Sequence, residues 1–185
     1  MQNKLIIISG PSGVGKTTII NRLLEKNPDK LKRLITYTTR PPRKKDETSG
    51  EYIFLTENDF KKLISDDNLI EWEKVYDNYY GKAMPELEKI WQQEKIAIAT
   101  IDPISIDKKE FKKDFITIIF LTAKLENIER RLGKRNQSAE VFEKRKNLIP
   151  KELKMADEAD YVVKNEENKI DQTVSTCEKI IFSNT

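Results

Sequence analysis

The chain has 185 residues, a length that suits one compact domain with room for small sub-domains. Its 34 basic and 31 acidic side chains nearly cancel, so the overall charge does not indicate attraction to nucleic acid or to an anionic membrane. A single cysteine and no histidine exclude internal disulfide bonds, cysteine-rich or histidine-ligated metal sites, and serine–histidine or cysteine–histidine nucleophilic pairs.

No apolar run reaches the roughly 20 residues that a membrane-spanning helix needs. The runs at residues 5–8 and 118–121 contain only apolar side chains and are far shorter than that. The apolar run after Lys4 is also too short for the hydrophobic region of a secretory signal. We therefore expect a cytoplasmic protein with neither nucleic acid nor a membrane as a partner.

The first predicted elements are a strand, a glycine-rich loop and a helix. The apolar run at residues 5–8 predicts a buried strand, and residues 17–26 place four apolar side chains on one helical face. Between them the sequence fits G-x-x-x-x-G-K-[ST], in the strand-to-helix context that this phosphate-binding motif requires. The phosphate loop consists of Gly10, Pro11, Ser12, Gly13, Val14, Gly15, Lys16 and Thr17.

The residue types in this loop suit a polyphosphate. Glycines let consecutive backbone N–H groups point at one anion, and the start of the helix adds partial positive charge. Lys16 can reach the outer phosphates, and the Thr17 hydroxyl can bind Mg²⁺. An ordinary glycine-rich turn is the alternative, and the context disfavours it. Residues 168–171 also fit the N-K-x-D of GTPases, but acidic residues precede them, so we interpret them as a helix start.

Residues 34–82 interrupt the alternation of strands and helices. The predicted strands here are residues 34–38, 52–55 and 69–76. They surround a helix at residues 57–64, for which Thr56 with Asp59 is a plausible cap. We interpret this block as an inserted sub-domain in which antiparallel pairing dominates.

Two arginines in this block indicate an anion site. Two prolines between Arg40 and Arg43 favour an extended, polyproline-like backbone, in which three residues make one turn. Both guanidinium groups should then project to the same side, which suits bidentate binding of a phosphate. A solvated basic loop is the alternative.

The later elements return to alternating strands and helices. Apolar runs predict buried strands at residues 96–101, 115–121 and 161–163. Pro85 suits the first turn of a helix at residues 85–94. Such alternation predicts a parallel sheet covered by helices on both faces. Residues 130–150, rich in arginine and lysine, predict a helical excursion from this core.

Arg131 and Arg135 are four residues apart, so on a helix they lie on one face and repel each other. No acidic residue one turn earlier on that helix neutralises either of them. Phosphate groups could compensate the repulsion, and a solvated helix surface is the alternative.

Taken together, these motifs resemble the guanylate kinase family in order and spacing, over nearly the whole chain. The matching positions are residues 10–17, Thr38, Thr39, Arg40, Pro42, Arg43, Tyr52, Glu71, Trp72, residues 78–81, residues 160–163 and Asn165. The resemblance implies an α/β P-loop kinase with a parallel sheet core flanked by helices. It also implies an inserted mixed α/β nucleoside-monophosphate-binding sub-domain at 34–82 and a helical arginine-rich lid at 128–150. The core would then comprise residues 1–33, 83–127 and 151–185.

The resemblance further implies phosphoryl transfer from Mg-ATP to GMP by a monomer or homodimer, with ATP and GMP as partners and Mg²⁺ as cofactor. The implied catalytic residues are Lys16, Arg131, Arg135 and Arg145. ATP would bind to residues 10–17 and Asn165, and the metal to Thr17. The implied GMP-binding residues are Thr36, Arg40, Arg43, Tyr52, Glu71, Tyr80, Lys82 and Asp102.

Two positions depart from the family pattern. Lys82 stands where the family usually has serine or threonine, which donates to O6 of guanine, and Asp102-Pro103-Ile104-Ser105 replaces the usual Asp-x-Gln-Gly. Lysine can also donate to O6, although it is longer and charged. A related kinase with another nucleoside monophosphate or a phosphorylated ribose as acceptor therefore remains an alternative, as does a binding module without catalysis.

Overall fold

Regular elements alternate along most of the chain in the computed structural model, which describes residues 3–42, 50–75, 77–106, 114–134 and 138–183. The strands are β1 Leu5–Ser9, β2 Leu31–Arg33, β3 Thr36–Thr38, β4 Tyr52–Phe54, β5 Leu69–Val75, β6 Asn78–Ala83, β7 Ile96–Thr100, β8 Ile116–Thr122 and β9 Tyr161–Lys164. The α-helices are α1 Lys16–Lys26, α2 Glu57–Ser65, α3 Met84–Trp91, α4 Leu125–Gly133, α5 Ala139–Lys154 and α6 Ile170–Phe182.

A five-stranded parallel sheet forms the core, in the order β2-β7-β1-β8-β9. The central strand β1 pairs with β7 on one side and β8 on the other, and all of its residues are buried. Because the strands are parallel, their carboxyl ends meet at one edge of the sheet. The loops that follow β1, β7, β8 and β9 therefore lie near one another.

Helices cover both faces of this sheet, as the sequence predicts. Ile6 and Ile8 of β1 face one cluster of buried residues, to which α1 and α6 contribute. Leu5 and Ile7 face a second cluster, which includes the apolar side of α3. The alternation of strand side chains thus divides a continuous apolar run between two cores.

The second sheet has four strands in the order β4-β3-β6-β5. Strands β3 and β4 are parallel, whereas β6 is antiparallel to both β3 and β5. Phe60 of α2 is fully buried on this sheet and stacks on Tyr79, with ring centroids 5.4 Å apart. At Gly81 a Cβ atom would lie 2.8 Å from the carbonyl oxygen of Glu71, so the close approach of β6 to β5 requires glycine there.

Most predicted elements are confirmed, with shifts of a few residues at their ends. The cap of α2 is confirmed, because the Thr56 hydroxyl accepts a hydrogen bond of 3.1 Å from the Asp59 N–H. Helix α6 begins at Ile170, within the segment interpreted as a helix start. Strands β2 and β6 were not predicted. Tyr76, the last residue of a predicted strand, lies outside the described residues. The boundaries of core, insertion and lid stay predictions.

The helices of the described ranges include none with the length and apolar character needed to cross a membrane.

Replacing Gly81 with alanine should destabilise the second sheet, because the new methyl group would meet backbone at 2.8 Å. Overpacking of this kind costs about 1–3 kcal/mol. The matched control is Gly133→Ala, whose methyl group would meet Phe142 at an ordinary 3.6 Å. Urea unfolding should show lower stability for Gly81→Ala and no loss for Gly133→Ala, and equal stabilities would contradict the close approach.

Candidate active site

The phosphate loop connects β1 to α1 and packs against the end of β8. Gly10 has φ +133°, and a Cβ atom there would lie 2.4 Å from the Leu121 carbonyl oxygen. Only glycine satisfies both constraints. The Lys16 ammonium donates to the carbonyl oxygens of Gly10 at 2.5 Å and Pro11 at 3.2 Å. This folds the lysine side chain back over its own loop.

Asn165, at the end of β9, supports the loop from the other side. Its Nδ2 donates to the Val14 carbonyl oxygen at 2.8 Å, and its Oδ1 accepts from the Thr173 hydroxyl at 3.2 Å. The side chain is buried, and Gly15 has no room for a Cβ atom because Asn165 would lie 2.6 Å away. The structure thus places Asn165 against the loop, and its predicted position near adenine stays a prediction.

A cavity of about 460 Å³ opens in front of the loop. It is lined by Ser12, Gly13, Gly15, Lys16, Thr17, Thr18 and Arg131. Arg131 of α4 reaches the loop, and its Nη1 donates to the Val14 carbonyl oxygen at 3.2 Å. The predicted partner Arg135 lies outside the described residues. Arg145 lies half-buried on α5, close enough for its charge to affect Glu152.

A second cavity, of about 260 Å³, lies between the phosphate loop and the second sheet. Predicted site residues that line it are Ser12, Lys16, Thr36, Tyr52, Glu71, Tyr80, Lys82 and Asp102. Ser12 and Lys16 also line the first cavity, so the loop lies where the two cavities meet. Residues from the predicted core and from the predicted insertion therefore converge on one cleft.

A buried pair of opposite charges lies on the wall of the second cavity. Glu71 of β5 pairs in register with Lys82 of β6, and the Lys82 Nζ lies 3.6 Å from the Glu71 Oε1. The same ammonium donates to the Thr36 hydroxyl at 3.1 Å. Lys82 is 3% exposed and Glu71 is 9% exposed, so Glu71 does not face solvent as an ordinary strand residue would. Desolvation lowers the pKa of Lys82, against the opposing effects of Glu71 and Glu73.

Arg40 is buried beside the second cavity. Its guanidinium lies over the rings of Tyr52 and Phe54, 5.1 and 5.5 Å from their centroids, and donates to the Pro41 carbonyl oxygen at 2.8 Å. Arg40 is not among the described residues that line the cavity, although Tyr52 is. The predicted alignment of Arg40 with Arg43 stays a prediction, because Arg43 lies outside the described residues.

The segment after β7 closes the cavity opposite the second sheet. The Asp102 carboxylate accepts a hydrogen bond of 3.0 Å from the Ile104 N–H and caps a short 3-10 helix, Pro103–Ser105. Ser105 is buried, and its hydroxyl donates to the Glu73 carboxylate at 3.5 Å across the cavity. The altered segment therefore touches the second sheet directly.

Sequence reasoning missed Glu73, Ser105 and, above all, Glu152. Glu152 lies on α5 and is buried, although it is charged. It follows the fully buried Ile149 by three residues, so both belong to the same face of the helix. An acidic residue on the apolar face of a helix is the signal that could have identified it.

Comparison with known proteins agrees with this geometry. A family model described as "Guanylate kinase" matches residues 2–184. The chain belongs to the guanylate kinase family. Curated guanylate kinases similar to it include one from Campylobacter jejuni (strain RM1221), 32% identical over 172 residues, which covers 91% of this chain and 84% of that protein. Another, from Caldanaerobacter subterraneus subsp. tengcongensis, is 36% identical over 184 residues. That match covers 98% of this chain and 88% of that protein.

A solved guanylate kinase from Anaplasma phagocytophilum shares the fold, with a TM-score of 0.73 at 23% sequence identity. The match covers 98% of this chain and 85% of that one. It supports the P-loop kinase fold, with the parallel sheet and flanking helices described above.

Replacing Asn165 with alanine should loosen the phosphate loop of this guanylate kinase family member. The change removes one donor to Val14 and the acceptor of the Thr173 hydroxyl, both in a buried setting. Removing one partner of a buried hydrogen bond costs about 1–3 kcal/mol. Thermal unfolding and calorimetric titration with Mg-ATP should show lower stability and weaker binding. Asn147→Ala, on the exposed side of α5, should change neither, and a wild-type response from Asn165→Ala would contradict the supporting role.

Proposed function

We propose that this protein transfers the terminal phosphoryl group of ATP to GMP, giving ADP and GDP. The observation that carries the proposal is that Ser12 and Lys16 of the phosphate loop line both cavities. A triphosphate held by the loop in the larger cavity would direct its last phosphorus toward an acceptor in the smaller one. Family membership agrees with this arrangement.

The smaller cavity suits guanine because it sets a carboxylate beside an ammonium. The Glu71 carboxylate can accept from N1–H and from the 2-amino group, while the Lys82 ammonium can donate to O6. Adenine presents an acceptor at N1 and an amino group at C6, so both contacts would be mismatched. In a buried site such mismatches are costly, because the protein groups lose their hydrogen bonds to water as well.

The acceptor phosphate would be held by Arg40, Arg43, Tyr52 and Tyr80. Tyr52 and Tyr80 line the cavity and can donate as neutral hydroxyls. Arg40 stacks on Tyr52 and would add charge at the same end. We further assign Asp102 and Thr36, which lie on the cavity wall, to contacts with the nucleoside.

The donor triphosphate would be bound by the amides of residues 10–17 and by Lys16. Arg131 lines this cavity, and Arg135 and Arg145 complete the proposed arginine lid. Asn165 would lie near adenine in addition to supporting the loop. Lys16 and the arginines would neutralise the negative charge that accumulates when the phosphates of ATP and GMP come together.

Mg²⁺ would arrive with ATP rather than as a resident metal. Thr17 lines the phosphate cavity and offers a hydroxyl ligand. In the described part of the chain no group of three or more acidic or cysteine residues could hold a metal ion by itself. A single protein hydroxyl suits a cation that is already bound by phosphate oxygens. When bound, Mg²⁺ would neutralise phosphate charge.

Transfer needs no general base. A phosphate monoester has a second pKa near 6, so at neutral pH an acceptor oxygen is already ionised and can attack the γ-phosphorus directly. The bond from that phosphorus to the bridging oxygen breaks in line, and ADP leaves. This agrees with a chain that has no histidine. We propose that it works in the cytoplasm as a monomer or homodimer.

Wild-type protein should turn over Mg-ATP with GMP and much more slowly with AMP in a coupled assay of ADP release. Glu71→Gln should lower kcat/KM for GMP by about 10- to 100-fold, since a hydrogen bond to a charged group is worth about 1.5–3 kcal/mol. Equal rates with GMP and AMP would contradict guanine recognition. No turnover with either would favour the binding module instead.

A related kinase with another acceptor is the second candidate, because Lys82 stands where the family usually has serine or threonine. Lys82→Met keeps the length of the side chain and removes its donors, so the kcat/KM for GMP should fall by about 10- to 100-fold. The control is Lys89→Met on α3, where the side chain is 63% exposed. A substrate panel on wild type and both variants decides the acceptor. If Lys82→Met kept full activity with GMP, Lys82 would not contact its base.

A further inference from the structure

Glu152 is a buried charged residue of the cleft that the proposed mechanism does not use. It is 6% exposed, and it lines the smaller cavity together with Ser12, Lys16 and Asp102. Its Oε2 accepts a hydrogen bond of 3.3 Å from the backbone N–H of Ser12, in the phosphate loop. One carboxylate thus links the last part of α5 to the loop.

The position of Glu152 is fixed by the packing of its helix. Ile149, one turn earlier on α5, is fully buried and belongs to the core cluster that includes Val14 of the loop and Ile19 of α1. The backbone at Glu152 therefore cannot shift relative to the loop without moving Ile149 in that core. The first part of α5 carries Arg145, so the helix connects a proposed lid residue to the loop.

The charge of Glu152 is held there at a cost. Desolvation raises its pKa, and nearby Asp102 raises it further, while the Ser12 N–H, Lys16 and Arg145 lower it. A raised pKa means that the carboxyl binds its proton more tightly in the folded state than in the unfolded state. The stability gained from the protonated carboxyl is therefore lost as pH rises through the folded pKa. Once ionised, the carboxylate therefore opposes folding. Groups that oppose folding persist mainly at functional sites.

We propose that Glu152 is a positioning residue for phosphoryl transfer. Its carboxylate fixes the Ser12 end of the phosphate loop and attracts the Lys16 ammonium, keeping it where the two cavities meet. Glu152 acts through Ser12 and Lys16. This inference rests on the proposed function, because it assigns Lys16 to the phosphoryl group in transit.

Glu152→Gln tests the charge separately from the shape. Glutamine keeps the length and an oxygen that accepts from Ser12, and it removes the attraction to Lys16. We expect kcat with Mg-ATP and GMP to fall by about 10- to 100-fold, as misplacement of a catalytic group does. Both KM values should stay within about threefold, since ground-state contacts are kept. Glu143→Gln, exposed on the same helix, should behave as wild type.

The unfolding temperature of Glu152→Gln distinguishes the positioning role from a merely structural one. A structural role predicts a lower unfolding temperature than that of wild type. Glu152→Gln should unfold at a temperature equal to or above that of wild type at pH 8, and its advantage should shrink at pH 4, where the wild-type carboxyl is protonated. Glu152→Asp, which keeps the charge on a shorter side chain, should recover part of kcat.

A slow but equally stable Glu152→Gln variant supports the positioning role. A variant with wild-type kcat overturns it, and so does one that loses stability and activity together, because Glu152 would then be structural. If the wild-type chain itself failed to phosphorylate GMP, the proposed function would fall and this inference with it.

Discussion

The site depends on a phosphate loop whose backbone is held by contacts from distant parts of the chain. Asn165 and Arg131 both donate to the Val14 carbonyl oxygen, and Glu152 accepts from the Ser12 N–H. The partners are separated by 117 to 151 residues in sequence. Because loop amides bind phosphate only when they point at one centre, tertiary contacts prepare the loop before a nucleotide arrives.

The second constraint is the buried pair of Glu71 and Lys82. Removing two charges from water is costly, and their attraction repays this only when further hydrogen bonds satisfy them. Here Thr36 accepts one hydrogen bond from Lys82. A guanine base would supply complementary donors and an acceptor, so the pair would serve recognition more than stability. Strands β5 and β6 hold the pair in register, and Gly81 lets the two strands approach each other closely.

Local patterns were enough to predict the parallel core and the phosphate loop. The apolar runs at β1 and β8 and the glycine motif each carry their structure in a few adjacent residues. Strand β2 was not predicted because Leu-Lys-Arg is short and two-thirds charged. It becomes a strand only by pairing with β7. Strand β6 was not predicted because it contains glycine and lysine. These residues fit in a strand here only because β6 packs closely against β5.

The residues of the candidate site were predictable where a sequence motif defined them. They were less predictable where their role depends on burial and contacts in the folded chain. The resemblance to a family identified eight residues that the structure brings to one cavity. It could not show that Arg40 stacks on Tyr52 and Phe54, since that contact depends on how β3 and β4 pair. Nor could it identify Glu152, whose partner in the loop lies 140 residues away.

The most direct test of the central claim, that two cavities share one phosphate loop, is titration with adenosine and guanosine joined through five phosphates. The account predicts one molecule bound per chain, with an affinity above that of ATP or GMP alone, because both cavities are filled at once. Binding no tighter than that of ATP, or two molecules per chain, would contradict it.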